Sequence, residues 1–312
     1  MSLSALRQGG KRALAAALAE LERDSDGAAA QCLLDAAWRE PRAHVVGVTG
    51  PPGVGKSTLC SALVAAWRGG GKSVGVIAVD PSSKASGGAL LGDRVRIATD
   101  SADEGSFVRS MAARDRLGGL ADQTLAAMVV MRALFDRVLI ETVGVGQSET
   151  DVAGVADTVV FCVQPGSGDS LQFMKAGIVE IPHLIAVTKA DLGAAAERAL
   201  TDVAGALSLA TPDAKGGEWQ LKTLAVSSRS GAGMEGLMAA LEAHHQHLRA
   251  EGRLAISRHR QSQGWVHEAL RERFGTRGLA KLASLGLDVS LPAGAQPFEH
   301  LRRLNDTLEK AR

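Results

Sequence analysis

Residues Gly50 to Thr58 read GPPGVGKST. The stretch fits the pattern G-x-x-x-x-G-K-[ST] through Gly50, Gly55, Lys56 and Ser57, a loop whose backbone N–H groups cradle phosphates. The pattern carries weight only between a strand and a helix, and the flanks supply both. His44-Val-Val-Gly-Val-Thr49 reads as a buried strand, and Ser57 to Trp67 reads as a helix. Glycines let successive N–H groups turn inward on an anion, while the helix N-terminus adds partial positive charge at the same spot. On this reading Gly50, Pro51, Pro52, Gly53, Val54, Gly55, Lys56, Ser57 and Thr58 hold a nucleotide's phosphates, Lys56 neutralises the outer ones, and the Ser57 hydroxyl sits on magnesium. A glycine-rich turn that binds nothing is the bland alternative, and the match of pattern and context together disfavours it.

The chain has 312 residues, more than one minimal domain, and at 46% hydrophobic it can bury a sizeable core. Its 35 basic and 34 acidic residues leave a formal charge of +1 without a long run of one sign, so nothing draws nucleic acid electrostatically. Cys32, Cys60 and Cys162 lie far apart, without the spacings of a zinc or redox motif, and read as small buried hydrophobes in a reducing compartment. The most apolar run, around Leu125 to Phe135, falls far short of the ~20 residues a membrane span needs, and Arg132 interrupts it. A cytoplasmic protein without membrane contact is expected. Arg7, Lys11 and Arg12 precede the first acid, Glu20, which admits a mitochondrial presequence. Leu14, Leu18 and Leu21 recur at helical spacing, which favours an ordinary packed helix.

Two helical patterns, about Leu3 to Arg23 and Gly27 to Trp38, precede Pro41 and define an N-terminal helical extension, residues 1–42. From residue 43 to 249 apolar runs alternate with helical stretches: Ser73 to Val79, Arg137 to Ile140, Thr158 to Val163, Leu184 to Val187 and Thr223 to Val226. Continuous rather than alternating Val and Ile runs suit strands covered on both faces. The expected fold is therefore α/β, with a doubly wound, mostly parallel sheet. Beyond Arg249 strand-like runs stop. Three helical candidates, Ser257 to Phe274, Thr276 to Leu285 and Pro297 to Arg312, form a C-terminal helical arm, residues 250–312. Trp265, Ala269 and Leu270 share one face there, open to packing within the chain or to dimerisation.

In such a sheet ligands bind beyond the carboxyl ends of the strands. Asp80 directly follows Val79 and Glu141 directly follows Ile140, so both face the phosphates. Glu141-Thr-Val-Gly144 has the spacing of the acid-x-x-Gly element in which a glycine N–H senses a γ-phosphate. Asp93 lies in the polar, Gly-rich stretch Asp80 to Arg96 and suits either a magnesium site or a turn. Candidate magnesium ligands are thus Ser57, Asp80, Asp93 and Glu141. Magnesium takes about six oxygens and keeps several waters, so beside Ser57 and two phosphate oxygens some of these carboxylates act through water. Gln147 is placed to orient an attacking water beyond the Gly144 hinge, and a structural role suits it equally.

Leu184-Ile-Ala-Val187 runs into Thr188-Lys189-Ala190-Asp191, similar to the N-K-x-D element of GTPases with threonine replacing asparagine. A carboxylate accepts from both N1–H and the exocyclic amine of guanine, whereas adenine would set a lone pair against it. Lys189 covers the base with its stem. Thr188 replaces part of the tether that an asparagine amide makes to the phosphate loop. Ser227, Ser228 and Arg229, after the last apolar strand, form a second base-side loop.

With these elements in order, the chain resembles the MeaB/ArgK family of GTPases. The resemblance is carried by GPPGVGKST, Val79-Asp-Pro-Ser-Ser83 with Gly87-Gly88 and Gly92-Asp93, Glu141-Thr-Val-Gly-Val-Gly-Gln-Ser-Glu149, and Pro165-Gly-Ser-Gly-Asp169 with Leu171-Gln172 and Lys175. It spans about Val45 to Asp191 and implies a GTP/GDP-binding, magnesium-dependent GTPase that escorts an adenosylcobalamin-dependent acyl-CoA mutase, gating cofactor delivery and protecting or rescuing the enzyme. Adenosylcobalamin reaches the chain only through that partner. The resemblance further implies a nucleotide-responsive segment from Asp169 to Gly177 that includes Lys175, and a homodimer through the C-terminal helices; the catalytic candidates are Lys56, Glu141, Gln147, Asp169 and Lys175. Two rivals use the same loop. A P-loop kinase would depend on an acceptor other than water. A nickel-insertion GTPase would carry Cys or His ligands near the nucleotide, whereas the cysteines are isolated and His44 reads as a core or edge residue.

Overall fold

β-branched residues fit a pleated surface covered on both faces, and the Val and Ile runs form the sheet. A computed structural model of the chain describes residues 2–81, 97, 100, 102–113, 122–142, 151–166, 181–210 and 218–311. Its strands are β1 (His44–Thr49), β2 (Val74–Pro81), β3 (Ser106–Ala113), β4 (Arg137–Glu141), β5 (Thr158–Val163), β6 (Leu184–Val187) and β7 (Lys222–Ala225). They make one seven-stranded sheet in the order β3-β2-β4-β1-β5-β6-β7, with every pairing parallel. Helices are α1 (Leu3–Arg23), α2 (Ala28–Arg39), α3 (Lys56–Gly69), α4 (Asp122–Leu134), α5 (Ala194–Ala210), α6 (Met234–Arg249), α7 (Arg253–Ser284) and α8 (Pro297–Lys310).

Alternate strand residues serve opposite faces. Val45, Ile77, Val138, Ile140 and Val159 join a core built with α1, α2 and α4. Val46, Val48, Val76, Leu139 and Val160 join a second core under α3 and α6. Leu14, Leu18 and Leu21 are buried against the first of these, as a packed amphipathic helix requires. Cys60 and Cys162 are buried, but Cys32 is exposed on α2, contrary to the expectation for all three cysteines. Among the described residues no helix is long and apolar enough to cross a membrane.

The edge strand β3 has no counterpart in the sequence reading. Ser-Phe-Val-Arg-Ser-Met-Ala-Ala lacks a Val and Ile run because an edge strand need not be apolar throughout. Phe107 and Met111 enter the first core, and Arg109 on the same face donates to both carboxylate oxygens of Glu22 on α1, at 2.9 and 2.5 Å. In the C-terminal part the two candidates from Ser257 to Leu285 fall in α7, whose helical backbone is broken at Gly275, where φ is 67°. Val266, Leu270 and Leu282 of α7 pack on Leu304 and Leu308 of α8. Trp265 meets Phe298 at 4.9 Å between ring centroids, and Phe298 meets Trp38 of α2 at 6.2 Å, so this face packs within the chain.

Candidate nucleotide site

Central strand β1 lies between β4 and β5, in a register that sets Val48 beside Glu141 and Thr49 beside Phe161. The carboxyl ends of these strands therefore lie side by side at the edge of the sheet where such folds bind ligands. Gly50 takes φ 133°, and a Cβ there would lie 2.4 Å from the carbonyl oxygen of Cys162, so only glycine lets the chain turn this close to β5. Gly55, at φ 99°, is the N-cap of α3, whose first turn thus faces the loop. Lys56 is 7% exposed and folds back over the loop, its Nζ donating to Gly50 O at 2.6 Å and to Pro51 O at 2.9 Å. Ser57 Oγ donates to Glu141 Oε1 at 2.5 Å.

Thr142 joins β4 to β1: its N–H donates to Val48 O at 3.1 Å and its hydroxyl to Thr49 Oγ1 at 2.8 Å. Burial pushes the Cys162 thiol up to about 12 and the Cys60 thiol well above its ordinary value. Both thiols beneath the loop thus stay protonated and act as packing.

On the base side, Lys189 is held in the left-handed region at φ 56°, a conformation rare for a residue with a Cβ and one that clusters at functional sites. Its Nζ donates to Gln164 Oε1 at 2.6 Å and to Gly53 O at 3.2 Å. Thr188 Oγ1 donates to Val54 O at 2.7 Å, so the threonine ties the base-side loop to the phosphate loop. Ser227 Oγ donates to Asp191 Oδ1 at 2.6 Å and accepts from Ser230 N at 3.2 Å, which fixes the carboxylate through the loop of Ser228 and Arg229. That Ser227 bond, with the positive charges of Arg229 and Lys189 adding to it, holds the Asp191 carboxyl below the usual carboxylate range. Asp191 therefore stays an acceptor at neutral pH.

The structure brings together Lys56, Ser57 and Glu141 at the phosphate end and Thr188, Lys189, Asp191 and Ser227 at the base end. Asp80 is the next-to-last paired residue of β2, opposite Ala112, at the same edge of the sheet. The side chain of Asp80, and Asp93, Gly144, Gln147, Asp169 and Lys175 altogether, lie outside what is described. Gln164, Thr49 and Thr142 are additions to the expected set. Gln164 directly follows β5, so the rule that selected Asp80 and Glu141 also selects it.

A phosphate loop and a Thr-Lys-x-Asp turn tied to it through Thr188 and Lys189 share this edge of the sheet, an arrangement that fits the P-loop GTPase class. Sequence comparison narrows the class: residues 12–282 match the family described as Methylmalonyl Co-A mutase-associated GTPase MeaB, and the chain belongs to that family. It is 35% identical over 275 residues to the GTPase ArgK of Escherichia coli, covering 87% of this chain and 83% of that one. It is 36% identical over 236 residues to the mouse protein named methylmalonic aciduria type A homolog, mitochondrial, covering 75% of this chain and 56% of that one. A crystal structure of an LAO/AO transport system kinase superposes with a TM-score of 0.70 at 27% identity, over 98% of this chain and 96% of that one.

Proposed function

We propose that this GTPase escorts an adenosylcobalamin-dependent acyl-CoA mutase, using magnesium-dependent hydrolysis to time cofactor delivery and to protect or reactivate its partner. The observation that carries the hydrolytic half is the 2.5 Å contact of Ser57 with Glu141 at the phosphate loop. Two hard oxygen donors meet there, one from the first turn of α3 and one from the end of β4, and such a pair suits magnesium. Ser57 and Glu141, with Asp80 and Asp93 expected alongside and some acting through water, would hold the ion. Magnesium bound there would neutralise charge on the β- and γ-phosphates. Lys56 leaves the loop carbonyls for phosphate oxygens when a nucleotide binds, and Gln147 orients water.

The escort role is supported by the family description and by the name of the mouse relative. In it the segment Asp169 to Gly177, with Lys175, answers to the partner, and residues 250–312 join two copies in the cytoplasm. Residues 1–42 serve as an extension to a GTPase domain of residues 43–249.

GTP turnover of the wild type and of Lys175→Ala, each with and without a purified mutase, tests this. Stimulation of the wild type alone is expected. A mutase that leaves wild-type turnover unchanged overturns the escort role, and equal stimulation of both proteins removes Lys175 from it. Turnover that needs a small-molecule acceptor instead of water would favour the kinase reading.

A further inference from the structure

Thr188 stands where the base-side loop meets the phosphate loop, and its hydroxyl is already committed. Oγ1 lies 2.7 Å from Val54 O and 3.0 Å from Val163 O, with the threonine donating toward both. Both acceptors are carbonyls, and a hydroxyl has one proton to share between them. Thr188 is 4% exposed and Val54 is 1% exposed. Turning the hydroxyl away would strip that bond from a carbonyl on a buried residue, which costs more than one neutral hydrogen bond returns.

Purine geometry gives this commitment a consequence. Asp191 is placed for N1–H and the exocyclic amine, the edge of guanine remote from the phosphates. The opposite edge carries N7, an acceptor, and in an anti nucleotide that edge turns toward the 5′-phosphate side. Thr188, bonded to the phosphate loop at Val54, stands on that side, and its proton is taken. The neighbouring cation, Lys189, is directed to Gln164 and Gly53.

We propose that Thr188 leaves N7 of guanine unread, so that the base is selected through the Asp191 edge alone and a change at N7 is tolerated. A carboxamide at this position carries two N–H groups, enough for both Val54 O and N7. Threonine keeps the tether and forgoes the base contact. The proposal rests on guanine recognition by Asp191, and its test keeps the two apart.

Competition against a fluorescent guanine nucleotide is measured for GTP, 7-deaza-GTP, in which C–H replaces N7, and inosine triphosphate, which lacks the exocyclic amine. Wild type should bind 7-deaza-GTP within about twofold of GTP, while Thr188→Asn should prefer GTP by about 3- to 10-fold, the worth of one neutral hydrogen bond. Thr188→Val keeps the shape and loses the tether, so it should weaken GTP and 7-deaza-GTP equally. A tenfold or greater loss with 7-deaza-GTP in the wild type, the same response in wild type and Thr188→Asn, or an unequal loss in Thr188→Val overturns the proposal. Equal binding of GTP and inosine triphosphate would instead overturn recognition by Asp191, whatever happens at N7.

Discussion

Arg258 on α7 grips Asp157, the residue before β5, through hydrogen bonds of 2.8 and 2.7 Å, with side-chain exposures of 11% and 1%. Val45 N also donates to Asp157, at 2.8 Å, and Arg258 donates to Ala43 O at 2.9 Å. One ion pair thus fastens the C-terminal helix to the amino ends of β1 and β5. Burial alone would raise the Asp157 carboxyl, but the bonds and charge of Arg258 outweigh it and hold the group below its ordinary value.

Removing half of a buried pair leaves an uncompensated charge, which costs far more than the pair contributes when intact. Arg258→Ala should lower unfolding stability by about 3–5 kcal/mol, and the double variant Arg258→Met with Asp157→Leu should recover much of that. Urea midpoints decide it. A wild-type midpoint for Arg258→Ala would mean that α7 is held by its apolar contacts alone.

Histidines gather at the same end of the sheet. His44 Nε2 lies 2.6 Å from Thr158 Oγ1, which lies 2.7 Å from His244 Nδ1, and Val159 N donates to His183 Nδ1 at 3.0 Å. The rings of His44 and His245 stack at 4.2 Å, and those of His183 and His244 lie 4.2 Å apart, tilted by 33°. Burial, reinforced by neighbouring positive charge, holds His44 at about 3, His183 at about 4 and His244 at about 2, although Asp157 opposes the shift at His44 and His183. These values are below those of the unfolded chain, so between about 6.5 and 4 the unfolded state binds more protons and stability falls as pH falls. Each histidine contributes a slope of about 1.4 kcal/mol per pH unit in that window. Denaturation at pH 7.5, 6 and 5 should show the loss, and His244→Gln should flatten it. Equal slopes in both proteins would remove His244 from the acid response.

Lys56 and Glu141 should separate binding from turnover. Lys56 donates to the carbonyls of Gly50 and Pro51, and on the proposed reading it exchanges them for phosphate oxygens in every nucleotide state. Glu141 instead orients Ser57 and matters most when metal and γ-phosphate are organised for reaction. Lys56→Ala should lose affinity for GDP and GTP alike. Glu141→Ala should keep GDP binding and lose turnover by about 10- to 100-fold, the usual cost of removing a group that orients a metal site. Wild-type turnover in Glu141→Ala would exclude the residue from the site.

Six of the seven strands among the described residues were legible because a buried parallel strand needs an unbroken apolar run, which survives as a sequence signal. Strand β3 was not, since its membership depends on partners such as Glu22 on α1 that no local pattern reveals. The phosphate loop was legible for the opposite reason: its function is made by contiguous residues. Thr188 and Val54 are 134 residues apart and Lys189 and Gln164 are 25 apart, so these contacts exist only once the strand order brings β1, β5 and β6 together. The sequence could mark Thr188 as a departure from N-K-x-D. It could not show that the hydroxyl still reaches the phosphate loop.

Base selectivity should invert at Asp191. Its carboxylate accepts a hydrogen bond from Ser227 on Oδ1, and that bond comes first among the causes that keep it ionised. An ionised carboxylate can accept from both N1–H and the amine of guanine, whereas an amide offers one acceptor and one donor. Asp191→Asn would set a donor against that amine, but against the C2 carbonyl of xanthine it makes a bond. The variant should therefore lose GTP affinity by tenfold or more, on the order of one charge-assisted hydrogen bond, and gain XTP affinity by a comparable factor. Competition binding with GTP, ATP and XTP on wild type and Asp191→Asn checks both arms. Wild type that binds ATP as tightly as GTP, or a variant that loses GTP without gaining XTP, would show that Asp191 does not read the base.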